Sequence, residues 1–257
     1  MHAQLTKDQI AFFHSNGYLI VPDFLTPEQL AMYKAESEVL ANHCYERGDL
    51  VANWGCVVEP LGCGFVSDRE ITYETKTDCA QYINLRSQIS PRELTQCTLN
   101  RFGSCAGQLM DSEDNVYLLN EQYIVKPPRT KAEFAWHQDV LYFSPKERTH
   151  VIVSVWTPLD DVCTDNGTVI VDPFPDPTNP GHYPCTDSPY ENSKATFTAN
   201  MTAGSALFMD GRLRHCSTAN RSGKFRSVYM PQFSLGHMTK HGEEDTCTAF
   251  AVPIIAK

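Results

Sequence analysis

The stretch AEFAWHQDVLYF (132–143) sets His137 and Asp139 two positions apart in a run that is otherwise largely aromatic and apolar. Burying a carboxylate is costly unless something pairs with it. In an extended strand, positions i and i+2 share a face. The spacing therefore predicts an imidazole and a carboxylate aimed into one space, with Gln138 turned the other way. Such a pair is half of a metal site, or simply a His–Asp hydrogen bond. His215, in SALFMDGRLRHCSTANRSGKFRSVYM (205–230), is the candidate third ligand. Two imidazoles and one carboxylate on one face of a metal leave other positions open, the facial triad of nonheme Fe(II) oxygenases. Arg226 follows His215 by 226 − 215 = 11 residues. A guanidinium grips a carboxylate bidentately, as Lys cannot, and so suits a cosubstrate with a carboxylate tail. The same three ligands would also serve a Zn(II) hydrolase. A scaffold of this kind can equally hold a noncatalytic ligand-binding pocket. Arg226 separates the readings, because hydrolysis needs no carboxylate clamp.

These side chains need elements to carry them. Thr6-Lys7-Asp8-Gln9 reads as a capping box opening a helix that Gly17 ends, and YLIVPDF follows as a strand. Thr26-Pro27-Glu28-Gln29 is a second capping box, opening a helix to about Ala41, so the part up to about residue 45 is largely helical. The segment from Cys44 to about Pro91 contains WGCVVEPLGCGF and reads as loop and turn, of a length that points to function. From Asn115 onward, VYLLNEQYIV, THVIVSVWTPL, GTVIVDPF, SALFMDG and FRSVYMPQFS are short runs rich in β-branched and aromatic residues, separated by turn formers. Lys126-Pro127-Pro128 ends the first of them. No helical period interrupts these runs, which argues an antiparallel sandwich or jelly roll over about 115–250. The insert DPFPDPTNPGHYP (172–184) is a loop on that scaffold, and residues 1–257 form one domain.

Composition narrows the partners. Of 257 residues, 42% are hydrophobic, and 21 basic against 31 acidic side chains leave a net charge of −10. That balance argues against nonspecific nucleic-acid or anionic-membrane binding and leaves a small molecule as the partner. The chain has no basic-then-apolar leader and no run near the ~20 apolar residues of a membrane helix. Ten cysteines without CxxC spacing point to reduced thiols and a cytoplasmic location, and the terminal IIAK is not a peroxisomal signal. Cys216, beside His215, is expected to face away and pack. Arg86, Arg101, Lys146 and Arg148 could steer an anionic substrate, but such charges are more often solvated. Trp54 and Tyr82 could line a pocket, with packing as the plainer role. Oligomeric state is not encoded legibly.

KPP…WHQDVLYF, VSVWTPLDD…DNG, RHCSTANRSGKFRSVYMPQFS and the opening FFHSNGYLIVPDFLTPEQL resemble the phytanoyl-CoA dioxygenase family of Fe(II)/2-oxoglutarate oxygenases. The resemblance covers residues 6–41 and about 115–235. It implies a mainly β fold with flanking helices, built on a double-stranded β-helix (jelly roll, cupin-like) core. It implies Fe(II) on His137, Asp139 and His215, with 2-oxoglutarate and O2 as cosubstrates. Arg226 would hold the far carboxylate of 2-oxoglutarate, Ser217 would support it, and Trp156 and Gln122 would line the cosubstrate pocket. The implied reaction hydroxylates or otherwise oxidises a small organic molecule and releases succinate and CO2, with Phe134, Trp136 and Phe143 as apolar walls that keep it dry. Asp139 is not Gly or Ala, so the halide-binding variant of the site is disfavoured. The chain departs from the family after DNG: NGTVIVDPFPDPTNPGHY replaces a stretch ending Pro-Gly-Ser-His, so a CoA thioester substrate does not follow.

Overall fold

The computed structural model describes residues 4–48, 57–66, 79–112, 116–148, 151–175, 196–236, 238–240, 243–247 and 252–253. Trp54 and residues 176–184 of the Pro-rich insert lie outside these. Helix α1 (Lys7–Asn16) opens on the Thr6 capping box and closes on Gly17 at φ 78°. Helix α2 (Pro27–Glu46) opens on the Thr26 capping box and runs five residues past the expected end at Ala41, its last turns burying Cys44.

Residues 79–86 depart from the expectation of loop, and the stretch to 109, for which no element was expected, is helical too. Together they form α3 (Cys79–Arg86), α4 (Arg92–Gln96), a π-helical turn (Cys97–Phe102) and α5 (Gly103–Leu109). The inward faces of these helices carry Tyr82, Arg86, Thr95, Cys97, Thr98, Cys105 and Ala106 beside fewer aliphatics. A search for apolar helical period does not register such a stripe.

The strands are β1 (Tyr18–Val21), β2 (Val57–Val58), β3 (Tyr117–Lys126), β4 (Phe134–His137), β5 (Val153–Pro158), β6 (Val169–Asp172), β7 (Phe197–Thr198), β8 (Ala206–Asp210), β9 (Arg214–Ser217), β10 (Arg226–Ser234), β11 (Thr239–Lys240), β12 (Glu243–Cys247) and β13 (Val252–Pro253). Seven make a major sheet ordered β1-β8-β5-β10-β3-β13, with β2 also on β3. Four make a minor sheet, β4-β9-β6-β7, and the pairings are antiparallel. This is the expected jelly roll. Alternation sorts the major sheet's side chains. Tyr123, Val155, Phe208, Tyr229 and Phe233 join the core beneath the helices. Ile124, Trp156, Leu207, Met209, Val228 and Met230 join a second core shared with Val169 and Val171 of the minor sheet. Among the described residues no helix is long and apolar enough to cross a membrane.

A buried polar network fastens the helices to the sheet. Arg86 meets Glu36 of α2 with Nη1–Oε2 at 3.0 Å and Nη2–Oε1 at 2.6 Å. Its Nε approaches Glu121 Oε1 of β3 at 2.8 Å, an ion pair rather than an aligned hydrogen bond. Tyr82 and Tyr229 donate to Glu121, and Tyr123 donates to Glu36. Arg86 is thus not the solvated charge expected but fully buried, because two carboxylates meet it, and Tyr82 is core. Burial pushes the Glu121 carboxyl upward, and Arg86 opposes this.

Candidate metal centre

His137 ends β4, and His215 faces it from β9 in the antiparallel register. The register shifts between Phe134 and His137, where Ala135 and Trp136 of β4 together oppose Cys216 of β9. A bulge of this kind re-aims side chains. Phe134 and His137 accordingly both line the cavity between the sheets. Trp136, expected as an apolar wall, is instead placed with its ring 6.0 Å from the Arg214 guanidinium and is absent from the cavity lining, whereas Phe143 is a wall as expected. Asp139 departs from the expected strand as well: β4 has ended, and Asp139 begins a 3-10 turn, Asp139–Tyr142. Gln138 between them is extended (φ −126°, ψ 133°), which preserves the shared aim of its neighbours. Gln138 is buried and donates to the Arg212 carbonyl.

The three candidate ligand atoms converge. Asp139 Oδ1 lies 3.6 Å from His137 Nε2 and 3.7 Å from His215 Nε2. Two atoms each ~2.1 Å from one ion stand about 3.0–3.4 Å apart at octahedral to tetrahedral angles, so a small inward movement of the side chains, under about 1 Å, would close a coordination shell. Each histidine keeps its Nδ1 against a carbonyl two residues back, Ala135 at 2.7 Å and Leu213 at 3.0 Å. A carbonyl only accepts, so Nδ1 carries the proton and Nε2 presents its lone pair. Burial, then the neighbouring His137 charge, lowers the His215 pKa to about 4 despite Asp139, so this ring is neutral near pH 7. Two lone pairs and a carboxylate oxygen facing one another repel unless a cation sits between them. Among the described residues these three are the group able to hold a metal ion.

The cavity encloses about 420 Å³ and is lined by Gln122, Trp156, Ser217 and Arg226 as well as the three ligands. The structure thus brings all seven expected site residues to one space. Arg226 is buried, its guanidinium fixed by the carbonyls of Ile124 (3.1 Å), Asn166 (3.2 Å) and Gly167 (2.8 Å), and it stands 5.9 Å from the Trp156 ring. Gly167 turns at φ +90°, and a Cβ there would lie 2.9 Å from Lys126 Cδ and 3.2 Å from Arg226 Nη2.

Three functional candidates escaped the sequence reading. Lys126 closes β3 fully buried and donates to Ser217 Oγ at 2.7 Å. Ser154 and Gln232, facing each other on β5 and β10, both donate to Asp139 Oδ2. Strand parity carried a signal for the last two: Ser154 has the parity of Trp156, and Gln232 that of Arg226, so both are polar on the inward face. Asn120 also lines the cavity, and its Oδ1 is buried with no hydrogen-bond partner among the described residues. Cys216 borders the cavity rather than turning from it, and burial raises its thiol to about 11, which leaves it protonated.

A profile described as phytanoyl-CoA dioxygenase (PhyH) matches residues 13–228. The peroxisomal phytanoyl-CoA dioxygenases of Bos taurus and Homo sapiens are 23% and 24% identical over 250 residues, spanning 90% of this chain and 68% of each relative. Among solved structures, the epimerase SnoN in complex with Fe3+, α-ketoglutarate and nogalamycin RO aligns with a TM-score of 0.63 at 17% identity, covering 97% of this chain and 95% of that one. EvdO2 from Micromonospora carbonacea var. aurantiaca complexed with 2-oxoglutarate aligns at 0.61 and 17% identity, covering 95% and 96%. These likenesses agree with the jelly-roll fold.

Proposed function

Because the chain belongs to the phytanoyl-CoA dioxygenase family, we propose that it is an Fe(II)- and 2-oxoglutarate-dependent dioxygenase that hydroxylates or otherwise oxidises a small organic molecule. The observation that carries this reading is the convergence of His137 Nε2, Asp139 Oδ1 and His215 Nε2 in a cavity that also holds the buried Arg226. Bound ferrous iron with 2-oxoglutarate and O2 supplies oxidative decarboxylation to succinate and CO2, coupled to oxidation of a substrate C–H bond.

The chain's own residues supply orientation and dryness. His137, Asp139 and His215 would hold the ion, with both imidazoles already in the ligating tautomer. Arg226 would take the distal carboxylate of 2-oxoglutarate. Lys126 occupies Ser217 Oγ as a donor, so the Ser217 hydroxyl proton is directed elsewhere and can reach that same carboxylate. Trp156 and Gln122 would flank the cosubstrate. Phe134 and Phe143 exclude water from the reacting atoms. The rest of the cavity includes Val57, Leu119, Tyr142 and Met230, with Glu59 and Asn120 as polar points. A small, largely apolar substrate with one or two hydroxyl or amine donors fits that lining, Asn120 Oδ1 accepting one of them. A Zn(II) hydrolase on the same ligands would have no use for a buried guanidinium lining the cavity. Ten cysteines without CxxC spacing support a reducing, cytoplasmic setting.

Anaerobically purified protein should bind Fe(II) and, on adding 2-oxoglutarate, O2 and candidate small molecules, release succinate above a His137→Ala control. Wild-type protein that fails to bind Fe(II) would overturn the reading.

A further inference from the structure

The carboxylate of Asp139 is divided between two tasks. Oδ1 faces both imidazole nitrogens. Oδ2 receives the Ser154 hydroxyl at 2.6 Å and Gln232 Nε2 at 3.0 Å. Gln232 Nε2 also lies 2.9 Å from Ser154 Oγ. The donor arithmetic closes. The Ser154 proton goes to Oδ2, and Gln232 Nε2 shares its donation between Oδ2 and Ser154 Oγ. A carboxylate oxygen offers two lone-pair sites, so Oδ2 is fully occupied. Ser154 and Gln232 are cross-strand partners on β5 and β10 of the major sheet, and both are buried. The grip therefore comes from two adjacent strands in the middle of the major sheet.

We propose that Ser154 and Gln232 latch Asp139 so that it serves the metal through Oδ1 alone, and so keep one coordination position open for the cosubstrates. This rests on the metal-centre reading above and concerns a different property of it. An octahedral ion bound by three protein atoms has 6 − 3 = 3 positions left. A carboxylate free to swing would offer Oδ2 as well and leave 6 − 4 = 2. Two positions are too few for a chelating keto acid and a second small ligand together. Ser154 and Gln232 are positioning residues, since they act on Asp139 and are not among the three candidate ligands.

Mn(II) is the test probe, because carboxylate and water ligands suit it and its inner-sphere waters are counted by water-proton relaxation. Ser154→Ala, Gln232→Met and the double variant are compared with wild type, Ser154→Thr and His137→Ala, all without O2. The latch predicts that relaxivity per bound Mn(II) falls by about one third in the double variant as three waters become two, with Mn(II) affinity kept within about tenfold. It predicts that 2-oxoglutarate binds the Mn(II)-loaded double variant about 10–100-fold more weakly, the range typical of outer-shell changes. Ser154→Thr, which keeps the hydroxyl, should restore both. Unchanged relaxivity in a variant that still binds Mn(II) overturns the latch. So does a parallel loss of metal and thermal stability with no change per bound ion. Should the double variant not fold, Gln232→Met alone carries the comparison. Loss of Mn(II) in His137→Ala shows that the centre exists, so a negative result then counts against the latch only; retention there overturns the centre itself.

Discussion

Replacing Arg226 by Met is the sharpest probe of the far end of the cavity. The wild-type guanidinium is buried and pinned by three backbone carbonyls, so it cannot follow a ligand outward and cannot be replaced by water without rearrangement. Removing one member of a buried, hydrogen-bonded charge pair costs 2–5 kcal/mol of binding, of which part is the penalty on the stranded partner. At a factor of ten per 1.4 kcal/mol, 2-oxoglutarate should bind about 30-fold to several thousand-fold more weakly. Calorimetric titration of the Co(II)-loaded protein under argon measures this directly. The Co(II) affinity itself should stay near wild type, because the three ligands sit on β4, the turn after it and β9. The variant also strands the carbonyls of Ile124, Asn166 and Gly167. At about 1 kcal/mol each, the apoprotein should lose up to roughly 3 kcal/mol of stability. Arg226→Lys should recover little, since an ammonium cannot span three carbonyls and a carboxylate at once. Binding of 2-oxoglutarate within threefold of wild type, in a variant that retains Co(II), would refute the assignment of Arg226.

The metal-free protein should lose stability on acidification. His215 has a folded pKa lowered from 6.5 to about 4, so its contribution is whole above pH 6.5 and is lost as pH falls toward 4, amounting to roughly 3 kcal/mol. Urea midpoints of chelator-treated wild type and His215→Asn at pH 7.5 and 4.5 test this, and equal pH slopes in the two proteins would contradict it. Arg86→Met leaves Glu36 and Glu121 buried without their cation and should cost about 3–5 kcal/mol. With Glu121 then favouring the protonated form in the fold, that deficit should be smaller at pH 5 than at pH 8. A deficit independent of pH would contradict the ion-pair account. Gly167→Ala should strain a turn at φ +90° and press on Lys126 and Arg226, weakening 2-oxoglutarate binding while Mn(II) affinity holds, as parallel titrations would show.

The parts of the fold that sequence made legible are those where local chemistry and global position agree. Thr6 and Thr26 cap helices whichever tertiary structure surrounds them, and the β-branched runs after Asn115 suit a pleated, half-buried surface. His137, Asp139, His215 and Arg226 were readable because the first two are close in sequence and the others lie on the successive strands β9 and β10. What stayed hidden depends on partners far apart in sequence. Arg86 looks like a surface charge until Glu36, 50 residues earlier, and Glu121, 35 residues later, are brought to it. The helical stretch 79–109 was missed because its inward face is built of Tyr, Arg, Thr and Cys. The bulge in β4 keeps Phe134 on the cavity beside His137 and leaves Trp136 outside it, and no local propensity announces it. Lys126 looked like punctuation before two prolines rather than a buried cation. Pro231 sits inside β10, a position proline usually avoids, and a register irregularity follows at Gln232.

The run Asn120-Glu121-Gln122-Tyr123 has a further role in how the chain finds its pairing. Its odd and even members serve opposite sides of one strand: Asn120 and Gln122 turn to the cavity, while Glu121 and Tyr123 meet Arg86 and Glu36 under the helices. A slip of one residue against β10 would exchange the two sets. The helical side would then receive amides with no cation-matched charge, and the space before the three metal ligands would receive a carboxylate. An all-aliphatic strand could tolerate such an error as a long-lived alternative. Here both faces reject it at once, so the same alternation that divides chemistry from architecture also proofreads the alignment of the central strands.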